Sequence, residues 1–441
     1  MKPLLIQGGR IIDPGQGIDE TGSLLIREGK VSWLGKGDAT PPRSSYEVLS
    51  AKGLTVCPGF IDLHCHLREP GFEDKETIAS GSRAAAKGGF TTICAMPNTD
   101  PSPDNRTTVE HLKTIIAEDG VVRVLPIGCI SQGRKGKKLA PLSELASAGV
   151  VAYSDDGDPL MDGYLMIEAL RTAWQNGLPI IDHCEHAGLV GGGVINLGRI
   201  SIELGLPGVP SAAEELMVAR DIALARLTGG WIHIAHVSTE ESVNIIRRAK
   251  GEGIRVTAEV TPHHLTLTEE KVVGYDTNAK VNPPLRTARD VQALIQGLKD
   301  GAIDIIATDH APHTQADKAG EFASTPSGIS GFETALGSLL TLVHNGRLTL
   351  TDLISKLTSE PARILAGRHG NLGTLAVGAP ADITLLDPNR EWLVDTDAFV
   401  SKGRNTPLAG SRLKGKIMAT LSHGNMVYSD DLVAIDEKGK K

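Results

Sequence analysis

The sequence predicts an α/β protein: a (β/α)8 barrel that carries a small β-sandwich built from both ends of the chain. Three observations predict it. Eight short apolar runs fill the middle of the chain, each ending in or leading into polar residues. Helix-like stretches lie between them, several closing on glycine, a frequent helix stop. Both ends read instead as short strands parted by glycine turns. Strand–helix alternation implies parallel pairing through right-handed crossovers, and eight such units close a barrel. An open doubly wound sheet would use the same units, but no G-x-G-x-x-G follows a strand.

Taken in order, residues 1–57 contain LLIQGGRIID, GSLLIREGKVSWLG and GLTVCP, all strand-like. The barrel is expected over 58–370. Its runs are LTVCPGFIDLH (54–64), FTTICAMP (90–97), VVRVLPIGCI (121–130), VVAYSD (150–155), LPIIDHCE (178–185), WIHIAHVS (231–238), IRVTAEVTPH (254–263) and AIDIIATDHAP (302–312). Residues 371–441 return to hairpin-like text, such as GTLAVGAPADITLLD, and end in a charged tail. The expected composite domain is therefore 1–57 plus 371–441.

Of the 441 residues, 40% are hydrophobic and 22% charged, enough apolar side chain for a large core and too much for disorder. The net charge of −8 argues against a partner such as nucleic acid or an anionic membrane. Five cysteines without a C-x-x-C pair exclude a disulfide framework or cysteine zinc ribbon and suit a reducing cytoplasm. The first residues break into Gly and Asp too soon for a signal peptide, and no 18-residue apolar window exists.

Chemistry concentrates at the ends of the runs, where barrel sites assemble. The first ends in His64-Cys65-His66, the fourth in Asp155-Asp156, the fifth in Asp182-His183, the sixth in His236 and the eighth in Asp309-His310. Spacing i, i+2 on a strand lets His64 and His66 grip one ion while Cys65 faces away. Imidazole and carboxylate together suit zinc, and six candidate ligands exceed the need of one tetrahedral ion. Two ions sharing a bridging group follow. Asp309, the last strand's acid, is the expected proton carrier.

Arg68 adds positive charge beside a cation site. That fits a clamp for a substrate carboxylate better than a structural role, the alternative being pairing with Glu69 or Glu73. By spacing alone, Asn98 and Asn282 read as turn caps. The segment Thr314–Pro326 is polar, contains glycine and reads as a mobile lid. Other features are set aside. The basic run Arg134–Lys138 reads as a solvated loop, and no Ser/Thr follows a Gly-Lys pair there, so it is no P-loop. His233 reads as core. His263 and His264, read as strand residues, would face opposite ways, so at most one could reach the site.

The motifs HCHLREPG, AMPNTDP, AYSDDGDP, IDHCEH, IAHVST, EVTPHHL, KVNPPLR and ATDHAPH, all in order, resemble class I dihydroorotases of the amidohydrolase superfamily. The resemblance implies two zinc ions held by His64, His66, Asp156, His183, His236 and Asp309, with Asp156 rather than Asp155 bridging. It implies substrate contacts from Arg68, Asn98, Asn282, His313 and, through backbone, Gly328. The implied reaction is reversible closure of N-carbamoyl-L-aspartate to (S)-dihydroorotate in pyrimidine synthesis. In the hydrolytic direction a metal hydroxide attacks the ring amide and Asp309 is the general acid/base. Allantoinases and hydantoinases are similar but bridge with a carboxylated lysine where Tyr153-Ser154-Asp155-Asp156 stands here. A non-catalytic subunit supporting aspartate carbamoyltransferase is the other alternative, and retention of all six ligand positions weighs against it. Oligomerisation, and association with that transferase, stay open.

Overall fold

The computed structural model describes residues 2–436 except 38, 40, 42–44, 366–367 and 433–434. Seven of the eight runs form parallel barrel strands: Phe60–Cys65, Phe90–Ala95, Arg123–Pro126, Ile180–Asp182, Ile232–Ile234, Val256–Val260 and Ile305–Ile306. The fourth contributes little more than Tyr153, which bridges Gly128 on one side and Ile180 on the other. Its ladder stops because the next residues turn at once: the Asp156 N–H donates to Ser154 Oγ and the Asp158 N–H to the Asp155 carbonyl. A parallel bridge from Cys65 to His310 closes the ring.

The expected helices follow the strands, from Ile78–Lys87 to Phe332–His344. Five of them start on a Thr, Asn or Asp side chain that caps an early N–H: Thr77, Asn105, Asp162, Thr239 and Thr287. One apolar cluster, with Phe90, Ile234 and Leu339, lies between strands and helices. A second, with Ile61, Leu63, Ile181 and Ile305, fills the barrel interior.

The run 54–64, whose first part is also read with the terminal strands as GLTVCP, divides at Gly59. It is two strands, not one. Thr55–Pro58 joins the terminal sheet and Phe60–Cys65 joins the barrel, with Gly59 between. A Cβ on Gly59 would lie 2.1 Å from Thr91 Oγ1, so only glycine passes there.

Five strands from the N-terminal end and four from the C-terminal end share one nine-stranded sheet. Thr55–Pro58 is its seam. It pairs in parallel with Leu4–Asp13 and antiparallel with Ile383–Leu393. Leu4–Gln7 pairs instead with Glu47–Ser50, so the sheet forks and folds over a core that includes Ile6, Leu24, Val56, Leu385 and Leu421. Among the described residues no helix is long and apolar enough to cross a membrane.

Candidate active site

The site lies where the barrel strands end. Between Asp62 and Cys65 the first strand's register slips against its neighbour. Such a bulge re-aims side chains. Ile61 and Leu63 point into the barrel interior and Cys65 packs outward, while His64 and His66 reach the acids of other strands. His64 Nε2 lies 3.4 Å from Asp156 and 3.5 Å from Asp309. His66 Nε2 lies 3.4 Å from the other Asp156 oxygen and 3.0 Å from Asp309. His236 Nε2 and His183 Nδ1 stand 3.7 and 3.9 Å from Asp156, and 2.9 Å from each other. Asp156 is thus the one acid within 4 Å of all four imidazoles among these residues.

The arrangement suits cations. Two triads, His64–Asp156–His236 and His64–His66–Asp309, each bring three donor atoms within 4.8 Å of one another. His64 Nε2 and Asp156 Oδ1 are buried without a hydrogen-bond partner, an expensive condition that a metal would relieve. Burial opposes ionisation of Asp156 and Asp309, yet the surrounding histidines outweigh it and hold both carboxyls well below the usual range. Burial likewise disfavours the His64 imidazolium, but Asp156 and Glu259 override it and push its pKa well up. Negative charge converges here and asks for a positive partner.

Asp155 is otherwise engaged. Its carboxylate accepts the Ile130 and Ser131 N–H groups, at 2.9 and 3.1 Å, and the Ser131 hydroxyl. Three site residues take left-handed backbone, Arg68 (φ 63°), His236 (φ 29°) and Asp309 (φ 47°). Such strain in non-glycine residues collects at functional sites.

A cavity of about 230 Å3 opens over the cluster, lined by Arg68, Asn98, Asn282, His313, Ser327 and Gly328 together with His66, Asp156, His183, His236 and Asp309. Glu69 and Glu73 accept backbone N–H groups, of Ile78 and Gly71, and do not pair with Arg68. Arg68 instead donates to the Pro312 carbonyl and approaches His313 at 3.5 Å. Burial, aided by Arg68, draws His313 down to about 3, so it is a neutral imidazole whose Nε2–H donates to the Ser327 carbonyl. Asn98 accepts from His66 Nδ1, and Asn282 donates to His183 Nε2 and to Glu185, so neither is a mere turn cap. Gly328 lines the cavity at φ 143°, where a Cβ would meet the Ala311 carbonyl at 2.8 Å. Its N–H is spent on Lys280 and its carbonyl accepts from Asn405. What it offers a ligand is its Cα face and the carbonyl's second lone pair.

Sequence reasoning passed over several residues. Glu259 receives His64 Nδ1 at 2.5 Å and His233 Nε2 at 3.1 Å, so it orients a candidate ligand from behind. Burial opposes its ionisation, but His64 and His233 hold it at about 2. Arg134, expected in a solvated loop, donates to the Asp156 carbonyl at 2.7 Å. His263 and His264 lie on a short helix, Pro262–Thr266, rather than on a strand, because Thr261 caps it and Pro262 suits its first turn.

A family model described as dihydro-orotase-like matches residues 53–242. The chain is 49% identical, over 97% of its length and all of the relative, to a protein named dihydroorotase from Syntrophus aciditrophicus. It is 51% identical, over 98% of its length and 99% of the relative, to another of that name from Pelotomaculum thermopropionicum. Among solved structures it is similar to the L-hydantoinase (dihydropyrimidinase) of Arthrobacter aurescens, with a TM-score of 0.87, 25% identity, and coverage of 99% of this chain and 98% of that one. With a buried histidine–aspartate cluster at the mouth of such a barrel, and likeness along its whole length, the chain belongs to the dihydroorotase family.

Proposed function

We propose that the chain catalyses the reversible cyclisation of N-carbamoyl-L-aspartate to (S)-dihydroorotate and water. The observation that carries the reading is the half-buried Arg68, which faces the same cavity as the histidine–aspartate cluster. A small ring with a free carboxylate, and an amide to be opened, matches that pairing of groups. His64, His66, Asp156, His183, His236 and Asp309 would hold two zinc ions. Zinc held there would supply Lewis acidity and a water acidified to near-neutral pH.

The chain's own residues do the rest. Arg68 grips the substrate carboxylate, with Asn98 and Asn282 beside it. His313 and Gly328 shape the far wall. In the hydrolytic direction Asp309 takes the proton of the attacking water and returns it to the ring nitrogen as the C–N bond breaks. The left-handed backbone at Asp309 aims its carboxylate at the cluster rather than along the strand.

The test is an assay of the zinc-supplemented protein on dihydroorotate, with allantoin and hydantoin in parallel. Turnover of dihydroorotate alone is expected. Turnover of hydantoin instead would replace the substrate assignment, and no turnover with zinc bound would overturn the catalytic reading.

A further inference from the structure

The far wall of the cavity is carried by two loops, residues 277–282 and 314–328. They are stitched together by two buried lysines. Lys280 Nζ donates to the carbonyls of Phe322, Ala323 and Thr325 at 2.8, 2.9 and 2.6 Å. Lys318 Nζ donates in the opposite sense, to Thr277 at 3.0 Å and Pro326 at 2.8 Å. Thr277 Oγ1 returns a bond to the Lys318 carbonyl, and the Gly328 N–H one to the Lys280 carbonyl. Phe322 packs in the same apolar cluster as Val281. Among the described residues neither ammonium group has a carboxylate within 4 Å; backbone oxygens meet the charge, with the Phe322 ring 5.6 Å from Lys280 Nζ and Asp276 and Asp317 acting on Lys318 from farther off. Burial draws the Lys318 amine down to about 7, with Lys280 pushing the same way.

We propose that Lys280 and Lys318 are positioning residues that lock these loops into one fixed wall, so that the segment read as a mobile lid is preformed. Neither lysine lines the cavity, but their neighbours Val281, Asn282, Ser327 and Gly328 do. Ordering a loop costs free energy per residue, and a wall ordered before binding removes that cost from substrate affinity. The clamp therefore sets KM more than the rate of the chemical step. The substrate used in the test rests on the dihydroorotase reading; the clamp itself does not.

The experiment is hydrogen–deuterium exchange of the zinc-loaded full chain, with kinetics on dihydroorotate, for the unsubstituted protein, Lys280→Met and Lys318→Met. Without substrate, segment 314–328 of the unsubstituted protein is expected to exchange as slowly as the barrel helices. The Met variants are expected to speed exchange there and in 277–282 only, and to raise KM about tenfold with kcat held within about twofold. Lys318→Gln, which keeps a donor, should fall between. Fast exchange of 314–328 in the unsubstituted protein overturns the proposal even if the variants fail to fold. So does a parallel loss of kcat and zinc, which would make the lysines supports of the cluster instead. Slow exchange without dihydroorotate turnover would strike the substrate reading and leave the clamp standing.

Discussion

At the scale of single residues, the heaviest load falls on Asp309, which would both hold zinc and carry the proton. Asp309 has the cavity on one side and His66 at 3.0 Å on the other. Asp309→Ala is expected to keep the fold and lose at least about a hundredfold in kcat, and near-normal turnover would remove it from the mechanism. Glu259 never reaches the cavity, yet it fixes the tautomer of His64. Glu259→Gln should weaken zinc affinity about 10- to 100-fold, as loss of such outer partners does. Zinc titration checks this, and unchanged affinity would reduce Glu259 to a core residue. The contrast shows what the sequence could reveal. His64, His66, His183, His236 and Asp309 were legible because strand ends in a barrel converge by geometry. Glu259 was not. It sits inside an ordinary strand run, and its partner is 195 residues away. Asp155 and Asp156 were equal by residue type, and only the turn after Tyr153 gives one to the Ser131 loop and the other to the histidines.

At the scale of elements, the eight β/α units were readable from alternation, but their boundaries were not. Periodicity cannot mark where one apolar run changes sheets, and 54–64 changes at Gly59. Gly59→Ala should cost about 1–3 kcal/mol, because the methyl group has no room beside Thr91. Thermal or denaturant unfolding would measure it, and an unchanged midpoint would mean that Thr91 moves away freely. The wall loops were misleading for a related reason. Thr314–Pro326 is polar and reads as mobile, yet its backbone carbonyls are bonded by Lys280, 42 to 45 residues away, and by its own Lys318. Composition registers the polarity and is blind to the acceptor. Asn405 is a third such tie, bonding Ala311, His313, Gly328 and Ser330 from a distant stretch of chain.

At the scale of the whole molecule, metal and fold should be linked. Unpartnered buried nitrogen and carboxylate oxygen at the barrel mouth leave the metal-free state with groups it cannot satisfy. Ligand binding to the folded state alone adds about 4 kcal/mol at a thousandfold excess over Kd. Chelation is therefore expected to abolish turnover and lower Tm, and zinc to restore both. An unshifted Tm would mean that the cluster is satisfied without metal. The terminal sheet has a consequence in time. Thr55–Pro58 leaves the ribosome early, but its antiparallel partner Ile383–Leu393 is made more than three hundred residues later. Throughout synthesis of the barrel, one edge of the N-terminal strands waits unpaired, an invitation to stray strand pairing. The strand that shields Thr55–Pro58 is made only after the whole barrel, so the hazard in making this protein lies at its seam and not at its catalytic mouth.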